Sequence, residues 1–419
     1  MAKELPLTPI PQAQEQLMAA FSIVEKEHAP LAGSAGRVLA ESIYSGIDLP
    51  VFDNSSMDGF ALRAEDVVKA DHQSAVVLDV VADIPAGTAP QVTLKFGQAA
   101  RIMTGAALPH GADAVVRVED TDFGVRDPGS DVPEQVQVFV PVPAGENVRP
   151  RGQDVLQGEL VLNPNRRLRP QDVGVLAMLG MQQVPVFRQP RVGLMSPGDE
   201  LLPLDAPLED GKIYESNSYV LEALVTQVGG EVVRLGIVPD TMADVRDSLQ
   251  KAVALGVDVF LSTGGVSVGA YDFVRAVLAR DGELTLWRVN MRPGKPLAFG
   301  SFEGVPYFGL PGNPVSAYVG FQVFVRPALR KMAGLPNEER LLRKVTLAED
   351  IESDGRESYL RVYASQEKEG WIARLTGHQG SGNLRSLVNA NALLIIPAGV
   401  TSVPAGSQLE AWFFEGIAV

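Results

Sequence analysis

Residues 257–269 read VDVFLSTGGVSVG, and this stretch decides the fold class. An apolar run of strand length leads directly into a glycine-rich loop, and a helical pattern follows at 271–280. Strand, loop and helix in this order form the repeating unit of a parallel α/β sheet. The sequence therefore predicts such a sheet around this stretch.

The same alternation continues on both sides of the stretch, from residue 189 to about residue 333. Strands are predicted at 191–196, 231–238 and 305–310. Helices are predicted at 218–228, 242–255 and 315–329, where apolar residues recur with helical spacing.

The remaining sequence has a different pattern. A helix is predicted at 11–26 and another at 170–179, and short strands are predicted at 75–81, 98–103, 114–118 and 136–140. After residue 334 the chain is strand-like, at 344–348, 359–363, 371–375, 392–396 and 408–414, which is typical of a small barrel. We predict four domains: an extended N-terminal domain from two segments (1–50 and 148–180), an inserted β domain (51–147), the α/β domain (181–333) and a C-terminal β barrel (334–419).

Composition excludes several classes of function. The chain of 419 residues has 36 Lys and Arg against 51 Asp and Glu, a net charge of −15, so we expect no binding to nucleic acid or to anionic membranes. It has no cysteine, which excludes disulfides, thiolate catalysis and iron–sulfur sites. No apolar run reaches the roughly 18 residues of a membrane helix, and we predict a soluble cytoplasmic protein.

The loop 264–269 has two interpretations. Glycine N–H groups at a helix start suit a phosphate or pyrophosphate. The alternative is a tight turn that needs glycine for its backbone angles. The loop lacks the GxxxxGK[ST] pattern of P-loop NTPases.

Acidic and basic side chains follow the other predicted strands. Asp199, Glu200, Asp240 and Asp272 come at strand ends, where carboxylates beside a phosphate suit Mg²⁺. For Asp240, capping of the following helix is an equally good alternative. In the loop MRPGKP, Arg292 and Lys295 could form a rigid anion clamp, and a solvated basic loop is the alternative.

Nine motifs occur in order along the chain: LTPIPQA (7–13), SSMDGFA (55–61), RIMTGAALPHGADAVV (101–116), RPRGQD (149–154), SPGDEL (196–201), STGGVSVGAYD (262–272), PGKP (293–296), GLPGNPVSA (309–317) and GHQGSG (377–382). In these motifs the chain resembles the MoeA family of molybdopterin molybdenumtransferases and the related E domain of gephyrin.

The resemblance implies the last step of molybdenum cofactor synthesis. Adenylylated molybdopterin would be hydrolysed with Mg²⁺, AMP would leave, and molybdate would enter the dithiolene. It also implies a homodimer, a transient contact with the molybdopterin adenylyltransferase, and the four-domain arrangement.

Site residues follow from the same resemblance, matched position by position. The catalytic positions are Asp58, Thr104, Asp154, Glu200, Asp240 and Asp272, with Asp240 and Asp272 at the metal. The substrate-binding positions are Gly264, Gly265, Ser267, Gly269, Pro311 and Pro314. The molybdate-binding positions are Arg288, Arg292, Lys295, Arg361 and Ser381. Asp58 and Thr104 would act at the partner subunit's α/β site. Arg288 and Arg292 replace lysines that are usual in the family, which keeps the charge but changes the geometry.

Two alternatives belong to other classes. A gephyrin-like scaffold would bind a protein tail and could lose the acidic residues and PGKP, which are present. A competence-damage-type enzyme shares the α/β module and acts on pyridine nucleotides. It would not need SSMDGFA or RIMTGAA, which are also present.

Overall fold

A computed structural model describes residues 7–124, 131–264, 273–336, 340–368 and 370–414. The chain divides into two compact units. The larger unit comprises Met1–Ala40, Asn165–Arg169 and Val184–Val419, and the smaller unit comprises Glu41–Pro164 and Pro170–Gln183.

A six-stranded sheet is the centre of the larger unit. In spatial order its strands are Glu231–Val238, Arg191–Pro197, Val259–Thr263, Val305–Leu310, Pro296–Phe302 and Gly282–Arg288. The first four strands are parallel, as predicted. The fifth strand, Pro296–Phe302, is antiparallel to both of its neighbours, which the sequence prediction did not include. The reason is the two-residue turn Glu303-Gly304, with φ of 49° and 81°, because a parallel connection needs a crossover of a dozen or more residues.

Helices cover both faces of this sheet. They are Asn217–Val228, Met242–Ala254, Phe273–Asp281, Pro314–Gly320 and Arg326–Met332. Val259 and Leu261 pack on one face with Leu221, whereas Phe260 packs on the other with Val245. Alternate residues of the central strand thus point into two cores, which explains its uninterrupted apolar run.

A π-helical turn, Phe321–Val325, joins the last two helices. In α-helical geometry the N–H of residue 327 would bond to the carbonyl of Val323, but residue 327 is a proline and has no N–H. The side-chain amide of Gln14 donates to that carbonyl instead, at 2.8 Å. Gln14 lies on the first helix, Ile10–Met18, so this bond ties that helix to the π turn.

The first helix ends eight residues before the predicted end at residue 26. The chain after Met18 leaves the helix, and Phe21 stacks on Phe308 of the central sheet with ring centroids 5.5 Å apart. The next residues form the strand Lys26–Pro30 in a small sheet with Gln183–Phe187 and Val38–Leu39. Tertiary packing thus overrides the helical spacing of the apolar residues here.

The C-terminal part of the larger unit is a closed five-stranded barrel, as predicted. Its strands are Leu342–Leu347, Glu357–Glu367, Gly370–Leu375, Ala392–Ile396 and Gln408–Phe413, and pairing of the second with the fourth closes it. Shorter elements are the strands Leu201–Leu202, Ile213–Tyr214, Met291–Arg292, Ile351–Glu352 and Ser402–Val403 and the helix Arg385–Val388.

The smaller unit is built on a five-stranded sheet. In spatial order its strands are Ala114–Arg117, Gly59–Leu62, Gln98–Ile102, Val76–Ile84 and Gln135–Val138. Further elements are the strands Ile43–Tyr44, Asn54–Ser55, Val148–Arg149 and Leu160–Leu162, the helix Pro170–Met178, and the 3₁₀ turns Ala64–Val67 and Val118–Asp120. A Cβ atom at Gly59 would lie 1.9 Å from the Val116 carbonyl oxygen, so the SSMDGFA motif requires glycine there. Among the described residues of both units, no helix is long and apolar enough to cross a membrane.

Candidate functional site

A cavity of about 550 Å³ opens at the carboxyl edge of the central sheet. It brings together loops that are far apart in the sequence, and its lining includes Glu200, Thr263, Gly264, Pro314 and Gly382. Three of these, Glu200, Gly264 and Pro314, are predicted site residues. Ligands of open α/β sheets bind at this edge, and the cavity is therefore the candidate site.

The start of the glycine loop is fixed by its backbone. Gly264 has a φ of +92°, and its N–H donates to the carbonyl of Leu310 at 2.8 Å. Beneath it, the hydroxyl of Tyr307 donates to Ser262 Oγ at 2.6 Å, and both side chains are buried. Gly265, Ser267, Gly269 and Asp272 lie outside the described residues.

Three carboxylates occupy the same edge. The N–H of Asp240 donates to Asp199 Oδ1 at 3.2 Å. The pKa of Asp240 is raised above its ordinary value, because the carboxyl is partly buried and because Asp199 and Glu200 add negative charge nearby. The capping alternative for Asp240 is wrong: Thr241 is the N-cap of helix Met242–Ala254, and its hydroxyl accepts from the N–H of Asp244 at 3.1 Å.

These carboxylates alone do not form a metal cage. Within the described ranges, no three His, Asp or Glu side chains are placed to hold an ion together. Oxygen donors that repel one another nevertheless suit a hard cation such as Mg²⁺, which often takes one or two carboxylates and completes its shell with substrate phosphates and water.

Arg361 is the most unusual charged residue of the larger unit. Its side chain is completely buried on the barrel strand Glu357–Glu367. Its Nε donates to Ser386 Oγ at 2.9 Å and its Nη2 to the Gly380 carbonyl at 3.0 Å, but its Nη1 has no hydrogen-bond partner among the described residues. Burial, together with the nearby charge of Arg292, lowers the pKa of Arg361 to about 10. A buried cation with an unused donor is costly unless an anion joins it.

The loop 377–382 connects Arg361 to the cavity. The carbonyl of Gly380 accepts from Arg361, the carbonyl of Ser381 accepts from the N–H of Val315 at 3.0 Å, and Gly382 lines the cavity. The N–H of Val315 belongs to the first turn of helix Pro314–Gly320. Barrel and sheet thus meet at the start of one helix.

The predicted basic loop is held on both sides. Arg292 lies in the short strand Met291–Arg292, which pairs with Glu357–Ser358 of the barrel. The carbonyl of Lys295 accepts from the N–H of Val289 at 2.8 Å, and Arg288 ends the edge strand opposite Pro296. Of these three, Arg292 is the residue whose charge lowers the pKa of Arg361.

Asn217 is a residue that sequence reasoning missed. Its Nδ2 donates to the Gly312 carbonyl at 2.6 Å, its buried Oδ1 has no partner in the described part of the chain, and the residue lines the cavity. It therefore holds the loop between Pro311, which is buried, and Pro314 against the start of helix Asn217–Val228. Asn217 follows the short strand Ile213–Tyr214, which lies near the cavity. The sequence pattern did not predict this strand and therefore did not point to Asn217.

Asp58 and Thr104 contact each other in the smaller unit. Both the backbone N–H and the hydroxyl of Thr104 donate to Asp58 Oδ1, at 2.7 and 2.9 Å. The residue pattern by itself did not predict this pairing. Asp154 lines a separate cavity of about 670 Å³, together with Phe52 and Gly105.

Comparisons with known proteins address the origin of this arrangement. Three family models match successive parts of the chain: the MoeA N-terminal region (domain I and II) over residues 8–180, a probable molybdopterin binding domain over 193–331, and the MoeA C-terminal region (domain IV) over 344–414. The chain belongs to the MoeA family. The predicted family and the predicted multidomain fold are thereby confirmed.

Curated MoeA relatives are similar over almost their whole length. A molybdopterin molybdenumtransferase of Nostoc sp. is 40% identical, with 96% of this chain and 94% of the relative covered. The molybdopterin molybdenumtransferase of Haemophilus influenzae is 34% identical, with 92% of this chain and 93% of the relative covered. The crystal structure of a molybdopterin biosynthesis MoeA protein from Pyrococcus horikoshii matches with a TM-score of 0.81 at 32% identity, covering 98% of this chain and all of the other.

Proposed function

We propose that this chain inserts molybdenum into adenylylated molybdopterin, with Mg²⁺-dependent hydrolysis that releases AMP. The observation that carries the proposal is the buried guanidinium of Arg361, which keeps one donor unpaired next to the loop that reaches the cavity. The curated names of the MoeA relatives support the transferase activity.

Arg361 would bind molybdate through its Nη1. The charges of Arg292, Arg288 and Lys295 and the hydroxyl of Ser381 would complete the site. Arginine suits a tetrahedral oxyanion because its planar N–H groups match two oxygens at once. An entering dianion would relieve the repulsion that Arg361 and Arg292 exert on each other. Part of the binding free energy of the anion would thus come from relief of this repulsion between the two arginines.

Phosphate chemistry would occur at the glycine loop and the acidic edge. Gly264 and its neighbours 265, 267 and 269 would bind the substrate phosphates through the backbone, and Pro311 and Pro314 would keep the opposite loop rigid. Asp240 and Asp272 would hold Mg²⁺, which supplies positive charge to the phosphate oxygens as the bond to AMP breaks. Glu200 would orient the attacking water from the same wall.

We further propose that the active unit is a homodimer. Two hydrogen bonds from Thr104 orient Asp58 Oδ1 in the smaller unit. Apolar side chains near the Asp154 cavity are exposed, including Val51, Phe52 and Met178. Such a patch suits a protein interface, and Asp58, Thr104 and Asp154 would then complete the partner subunit's site.

The test is a reaction with purified components. Protein, Mg²⁺, molybdate and adenylylated molybdopterin should together yield AMP and molybdenum cofactor, and omission of Mg²⁺ should abolish AMP release. If the folded protein releases no AMP with every component present, the proposal is wrong.

A further inference from the structure

Tyr214 presents an aromatic ring to the cavity. The residue lines the cavity and remains 41% exposed. Its backbone pairs with Leu202 in a short parallel ladder, and its hydroxyl donates to the carbonyl of Ala206 at 3.1 Å. The ring is thus held at both ends, and little conformational freedom is left to lose when a ligand covers it.

Apolar residues line the cavity beside Tyr214. Ile213 is 59% exposed and lines the cavity too, as do Leu201 and Pro197. The guanidinium of Arg361 and the carboxylate of Asp240 belong to other elements of the site. Exposed apolar side chains in a concave site mark a place where the non-polar part of a ligand is covered.

We propose that Tyr214, with Ile213 beside it, is a stacking platform for a planar heteroaromatic ring of the purine or pterin type. The inference rests on the proposed function, because the substrate proposed there carries an adenine at one end and a pterin at the other. Stacking needs only a flat π face, and the platform therefore recognises the chemistry that both rings share.

Binding measurements test this without turnover. The dissociation constants of AMP, neopterin and ribose 5-phosphate are measured for wild type and for Tyr214→Ala, by calorimetry and, for neopterin, by fluorescence. We expect roughly tenfold weaker binding of the ring that stacks and unchanged binding of ribose 5-phosphate, which has no ring to stack. Tyr214→Phe keeps the face but loses the bond to Ala206, and it should retain most of the affinity.

Tyr219→Ala is the matched control. This tyrosine is similarly exposed, at 45%, but its ring lies under the guanidinium of Arg234 at 4.6 Å. Its loss should leave all three dissociation constants unchanged.

The outcomes separate the alternatives. A loss for AMP alone assigns the platform to the purine, and a loss for neopterin alone assigns it to the pterin. Unchanged binding of both rings, no binding of either by wild type, or an equal loss for ribose 5-phosphate would overturn the proposal. Failure of the proposed function would appear differently, as absent AMP release in a wild type whose ring binding still depends on Tyr214.

Discussion

The Nε atom of Arg361 donates a 2.9 Å hydrogen bond to the hydroxyl of Ser386, and both side chains are buried. Ser386 in turn donates to the carbonyl of Asn383 at 2.6 Å. The guanidinium is therefore oriented by short-range contacts before any ligand arrives, and its Nη1 is left as the free donor. Preorganised donors of this kind cost little to use when an anion binds.

The first prediction concerns Arg361 and molybdate. At a hundredfold excess over its dissociation constant, molybdate should stabilise the wild type by about 2.7 kcal/mol, and Arg361→Met should lose most of this gain. Thermal unfolding with and without molybdate measures it, each variant against its own baseline. Arg374→Met is the control, because Arg374 is exposed on the adjacent strand and pairs with Glu367. An undiminished molybdate shift in Arg361→Met would remove Arg361 from the anion site.

The second prediction concerns the pH dependence that Asp240 imposes. The pKa of Asp240 is raised in the folded chain. The stability that protonated Asp240 contributes to the folded chain is therefore fully present below the ordinary aspartate pKa and is lost as pH rises through the raised value. Without Mg²⁺, Asp240→Asn should thus unfold at the same temperature as the wild type at about pH 3 and at a higher temperature than the wild type at about pH 7.

With Mg²⁺, the wild type should instead unfold at a higher temperature than Asp240→Asn, because Mg²⁺ should stabilise only the wild type. Asp247→Asn removes the same charge from an exposed position of the adjoining helix and should show neither effect. A pH-independent difference between Asp240→Asn and wild type would contradict the electrostatic explanation.

The third prediction concerns the shared site. Asp58→Asn and Asp240→Asn should each be nearly inactive, since each removes a group from every site of its homodimer. Mixed, refolded subunits would form heterodimers with one intact site, and activity should recover to about a quarter of wild type. AMP release after co-refolding measures this. No recovery, with heterodimers verified by differential tags, would place both residues in one subunit's site.

The fourth prediction concerns the bond from Gln14 to the π turn. Gln14→Leu leaves the Val323 carbonyl without its donor, and we expect a loss of about 1–2 kcal/mol in the free energy of unfolding. Urea denaturation measures the loss. Gln16→Leu makes the same change at an exposed position of the same helix and should cost less than about 0.5 kcal/mol. Equal costs for the two variants would show that the π turn does not need the bond.

Local sequence determined much of this protein. The run 259–263 forms a buried strand because its alternate side chains enter two cores, and Gly264 follows it at a φ that favours glycine. The four parallel strands, the barrel and the motifs of the MoeA family are accessible from spacing and residue type for the same local reasons.

Only the tertiary structure decided where the first helix ends, which strand of the central sheet runs antiparallel to the others, and which groups meet. Phe21 leaves helical geometry because Phe308 offers it a stacking surface 287 positions along the chain. Three properties of site residues are recognisable only in the tertiary structure. Arg361 has a donor without a partner among the described residues, Asn217 bonds to a distant carbonyl, and the ring of Tyr214 is fixed beside a cavity. Such properties arise from long-range packing, which residue spacing does not encode.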